Sequence, residues 1–87
     1  MNIAINAFAN EDLANCSMGA RVLALGMHLL SDDEGQLISH PLYLRSRIFP
    51  YDDISLADMR KWLDELENNQ IIANREEDFL TIFRLGE

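Results

Sequence analysis

Two histidines, one cysteine and one short basic window are the residues of this 87-residue chain whose types could do chemistry. His28, His40 and Cys16 fall at none of the spacings that gather metal ligands, such as the i, i+4 pair of a helical zinc site. No glycine-rich phosphate loop is present either, because the four glycines are scattered at positions 19, 26, 35 and 86. A list of nucleophile, base and oxyanion donors therefore stays almost empty. The expectation is a protein that is not an enzyme and holds no metal or cofactor. His28 reads as a polar residue at a helix edge, His40 as part of a helix-entry turn, and Cys16 as a small, half-buried hydrophobe.

The cations offer more. The net charge is −8, but residues 45–61 hold four bases, Arg45, Arg47, Arg60 and Lys61, against three acids. Residues 1–44 set Arg21 against five acids, and residues 62–87 set two bases against seven. Arg can bind a guanine edge with two parallel hydrogen bonds, and Lys suits phosphate as a point charge. The flanking carboxylates oppose phosphate, since nucleic-acid binding draws on an excess of Lys and Arg to release counterions.

The elements that must position these groups follow from caps, breakers and periodicity. At 48% hydrophobic residues the chain is too apolar for disorder, and its length fits one modest core. No run approaches the roughly 18 to 20 apolar residues of a membrane span. The lone cysteine and the lack of a basic, then apolar, leader at Met1–Ala4 point to a cytoplasmic, reducing setting.

Residues 1–16 read as an N-terminal arm anchored by Ile3, Ile5, Phe8 and Leu13, with a possible helical turn over 10–15. Residues 17–87 read as one domain. Ser17 caps a first helix over 18–31, in which Gly26 predicts close approach by another helix, and Gly35 supplies a left-handed turn after it. Gln36-Leu37-Ile38 suits one brief strand. Pro41 opens a second helix, 41–48, burying Leu42 or Tyr43, Leu44 and Ile48 with Arg45 and Arg47 outward. Pro50 stops it at Phe49, and Ser55 caps a third helix three residues before Asp58. Leu56, Met59, Trp62, Leu63 and Leu66 form its apolar stripe, leaving Arg60, Lys61, Asp64, Glu65, Glu67 and Asn68 outside. Residues 70–75 and 79–84 read as strands joined by Glu76-Glu77-Asp78. The order predicts a mainly α fold with a small β wing, a winged helix-turn-helix of three helices plus a β-hairpin.

The runs Met18–Leu37, Leu44–Asp53, Leu63–Glu67 and Gln70–Ile72 together resemble the N-terminal winged-helix domain of phage and prophage replication proteins, of the replisome-organiser or initiator-like kind. Phe49-Pro50-Tyr51-Asp52-Asp53, with Asp33-Glu34-Gly35 upstream, is its most specific part. The resemblance implies a winged helix in a mobile-element protein that binds DNA in replication or transcriptional regulation. DNA-binding members tend to carry bases in the wing, where this chain has Glu76, Glu77 and Asp78.

A winged helix lays its third helix in the major groove with the N-terminal outward residues nearest the bases. Those are Ala57, Arg60 and Lys61, with Arg45, Arg47 and Arg75 as backbone contacts. Arg60 and Lys61 each have an acid at i+4, Asp64 and Glu65, with which a surface pair would form. Binding to duplex DNA is expected to be weak for one copy, and a homodimer would strengthen it. The competing expectation is an acidic interaction module. Asp32, Asp33 and Glu34, then Asp64, Glu65 and Glu67, then Glu76, Glu77 and Asp78, with Tyr51 as contact aromatic, would meet a basic host complex such as a nuclease or CRISPR effector. Neither expectation involves a membrane.

Overall fold

The computed structural model describes residues 11–83. Four helices and three strands follow one another: α1 Glu11–Ala14, α2 Met18–Leu30, β1 Gln36–Ile38, α3 Pro41–Ile48, α4 Leu56–Asn68, β2 Ile72–Ala73 and β3 Phe79–Ile82. The strands form one antiparallel sheet in the order β1-β3-β2. Its register sets Leu37 against Leu80 and Ile72 against Ile82. Among the described residues no helix is long and apolar enough to cross a membrane.

Local chemistry explains where the long helices begin. The Ser17 hydroxyl accepts the Ala20 N–H at the head of α2, and the Ser55 hydroxyl accepts the Asp58 N–H at the head of α4. Each satisfies one of the orphan donors of a first turn. His40 caps α3 less usually, with Nδ1 accepting the Leu42 N–H at 3.2 Å ahead of Pro41. At the far end of α4, Ile71 N–H reaches the Leu66 carbonyl and Gln70 N–H the Glu67 carbonyl. That is a Schellman closure, and Gln70 adopts φ 61° where glycine is usual. Gly35 has φ 81°, and a Cβ there would stand 2.5 Å from the Ile82 carbonyl oxygen.

The core is built from both layers. Leu23, Met27, Leu44, Met59, Leu63, Leu66, Ile72 and Leu80 are its fully buried large side chains, together with Leu13. Gly26 lets Ile48 of α3 close on α2, and Gly19 does the same for the Trp62 ring, which tilts against Phe49 at 5.5 Å. A methyl at either glycine would overlap the neighbour.

The structure departs from expectation at several elements. The helical turn expected over 10–15 is α1 and its Leu13 is anchored in the core as expected, whereas Cys16 is buried rather than half-buried. Ile3, Ile5 and Phe8 lie outside the described residues. The brief strand expected at Gln36–Ile38 is seen as β1, and its pairing with β3 makes the sheet larger than the expected hairpin alone. Asn74, at φ 52°, ends β2 two residues after it starts, which shortens the strand expected over 70–75. β3 runs to Ile82, and Arg84 lies outside the described residues. Of the alternatives Leu42 and Tyr43, Tyr43 packs against the core and Leu42 is exposed, because Leu42 lies on nearly the opposite side of α3 from the buried Leu44. His28 is buried instead of lying at the helix edge, and its Nδ1 has no hydrogen-bond partner among the described residues.

Candidate nucleic-acid interface

The outer side of α4 is the surface that the turn after α3 and the sheet leave open. Met59, Leu63 and Leu66 point inward, Trp62 and Glu65 flank them half-buried, and Arg60, Lys61 and Asp64 face solvent. Ala57, Arg60 and Lys61 are exposed on its N-terminal half, and Arg47 is exposed near the end of α3. Among the described residues none of these three cations is in an ion pair. The i, i+4 pairs expected for Arg60 with Asp64 and Lys61 with Glu65 are not formed, because both acids have other partners.

Asp64 accepts from Arg75 Nη1 at 2.6 Å, and Glu67 lies 3.5 Å from the same nitrogen. Arg75 is therefore a half-buried clamp between the loop after β2 and the C-terminal half of α4, not a free backbone contact. Glu65 is half-buried and reaches back across the fold. One of its oxygens accepts the Ser17 N–H at 2.9 Å and the other the Ser17 hydroxyl at 2.8 Å. It ties α4 to the head of α2 and offers no docking charge. Arg45 is also tethered: its Nη1 donates to the Ile54 carbonyl at 3.0 Å and bridges the α3–α4 turn.

A cleft of about 470 Å³ separates the start of α3, the outer side of α4 and the loop before β3. Ser39, His40, Arg60, Glu67, Arg75, Glu76 and Glu77 line it. Its floor is fastened by Ser39, a buried residue absent from the sequence-predicted site. The Ser39 hydroxyl lies within bonding distance of the Glu76 and Glu77 carbonyls, at 2.9 and 3.2 Å, and its N–H donates to the Asp78 carbonyl. The signal available in sequence was only its place ahead of His40-Pro41.

The acidic clusters do not form one surface. Asp32 is committed to its own turn, where one carboxylate oxygen accepts both the Glu34 and Gln36 N–H groups at 2.9 Å. The Asp32 N–H in turn meets the Gln36 carbonyl, which occupies the outer edge of β1. Asp33 and Glu34 are exposed beside that turn, at the Gln36 end of β1. Glu76, Glu77 and Asp78 are exposed at the Ile38 end, where β3 begins. Tyr51, 99% exposed, crowns the α3–α4 turn.

Nucleophilic chemistry finds little here. Burial, followed by the nearby Glu65 charge, raises the Cys16 pKa and keeps the thiol protonated. Among the described residues no group of three or more His, Cys, Asp or Glu side chains could hold a metal ion. Comparison of the chain with protein-family models, with curated proteins and with solved structures finds no match.

Proposed function

We propose that this chain is a winged helix-turn-helix protein of the phage and prophage replication or regulatory kind, and that it engages duplex DNA through the N-terminal half of α4. What carries the proposal is that Ala57, Arg60 and Lys61 stand exposed on α4, directly after the α3 turn, while Met59, Leu63 and Leu66 hold its other side in the core. A recognition helix needs that division, with one face anchoring and the N-terminal outer residues free to reach base edges. Arg60 suits a guanine edge, and Lys61 and Arg47 suit phosphate. The element order from α2 to β3 and the sequence resemblance support the same reading.

The contact is narrow. With Arg45 and Arg75 engaged within the fold, Arg47, Arg60 and Lys61 are the three exposed cations among the described residues. Three neutralised phosphates give a slope of log affinity against log salt of about −2.7. Fluorescence anisotropy with a labelled duplex, over a series of salt concentrations, tests this. Binding at low salt that weakens with that shallow slope is the expected result. No binding at low salt by folded protein would refute the DNA reading.

A second reading is favoured by one observation: Glu67, Glu76 and Glu77 outnumber Arg60 and Arg75 around the cleft, with Asp64 adjoining it on Arg75. Such a surface would suit the basic channel of a host nucleic-acid-binding complex, with Tyr51 as an exposed anchor. Absence of DNA binding, combined with a host partner that survives nuclease treatment and is released by salt, would favour it.

A further inference from the structure

The helix α2 is apolar on both sides. Its sequence, MGARVLALGMHLL, has only Arg21 and His28 as polar side chains, and His28 is buried. Ala20, Leu23, Ala24 and Met27 fill the inner side. On the outer side Met18, Val22 and Leu29 are 72%, 44% and 59% exposed, and Leu25 lies half-buried between them. Positions 18, 22, 25 and 29 step by four, three and four, the seam spacing with which one helix packs along another. A surface helix ordinarily carries charge on its outer side, as α4 does with Asp58, Arg60, Lys61, Asp64 and Glu67. α2 instead has the composition of a helix covered all round.

We propose that the outer face of α2 is the two-fold interface of a homodimer, its occupant a second α2. Charge selects that partner. Two chains of net charge −8 repel each other, and they approach most readily through a face without carboxylates. α2 has none, and its one cation, Arg21, is half-buried. A basic partner drawn to the acids elsewhere would find no counter-charge on this helix. A two-fold contact also needs a self-complementary patch, which an uncharged seam of this spacing provides.

The area sets the strength. Met18, Val22 and Leu29 leave about 300 Å² of apolar surface per copy, so the pair covers about 600 Å² of it, below the ~1,200 Å² of stable specific interfaces and within the range of weak, reversible ones. A concentration-dependent dimer is expected. The proposal stands independently of whether the chain binds DNA.

Sedimentation velocity of the full chain, from low to high micromolar concentration, tests it. The expected mass rises with concentration towards twice that of the monomer. Val22→Glu should raise the dissociation constant more than about tenfold with the helical circular dichroism unchanged. If Val22→Glu disturbs folding, Leu29→Gln at the more exposed position decides in its place. A monomer at every concentration would overturn the proposal, and so would a dimer that both substitutions leave intact.

Discussion

The two halves of α4 carry similar numbers of charges and put them to opposite uses. On the N-terminal half Arg60 and Lys61 are exposed and, among the described residues, outside any ion pair. On the C-terminal half Asp64 and Glu67 hold Arg75, and Glu65 holds the backbone and hydroxyl of Ser17. One half faces outward for a partner, and the other is bound into the fold. The difference teaches that charge in a sequence does not measure charge available for binding. Residues 62–83 look like the stronger electrostatic feature, yet much of their charge is spent internally.

Removing Glu65 should have the largest structural effect of the charged positions on α4. Glu65→Ala removes both hydrogen bonds to Ser17 and should cost about 1 kcal/mol in urea unfolding. Lys61→Ala, one turn earlier, should change stability by less than about 0.5 kcal/mol. Equal losses from the two would break the contrast.

A smaller effect is expected from freeing Arg75. Asp64→Asn with Glu67→Gln removes two negative charges from the outer side of α4 and releases a cation. Duplex affinity at low salt should rise about fivefold, while stability changes by less than about 1 kcal/mol because exposed pairs contribute little. Anisotropy and denaturant titrations on the same protein check both parts.

The smallest effect concerns the end of α4 itself. Gln70→Gly relieves a left-handed residue in the Schellman closure and should stabilise the fold by about 0.5 to 1 kcal/mol, measured by thermal unfolding. Loss of stability would mean that the Gln70 side chain does more than occupy the turn.

How much of this was legible in the sequence depends on the range of each interaction. Ser17 and Ser55 as caps, Pro41 as the entry to α3, Pro50 as its stop and Gly35 as a left-handed turn are short-range chemistry, and all are seen. Gly26 signalled a close approach, and Ile48 makes it. The partners of charged groups were not legible. Glu65 meets a residue 48 positions away and Arg75 one 11 positions away, so i, i+4 spacing named the wrong pairs. Arg45 was placed outward because helical periodicity cannot show that the next turn folds a carbonyl beneath it. The burial of His28 escaped for a related reason: an apolar helix has no polar face to mark which side is inside.

The most direct test compares duplex affinity at low salt for three proteins: the parent, Arg60→Ala with Lys61→Ala, and Arg75→Ala. If the free half of α4 binds DNA, the double substitution weakens affinity at least tenfold, by about 1.4 kcal/mol or more, and Arg75→Ala leaves it within about twofold. Equal losses in both variants, or none in the double substitution, would contradict the division of α4 into a binding half and a structural half.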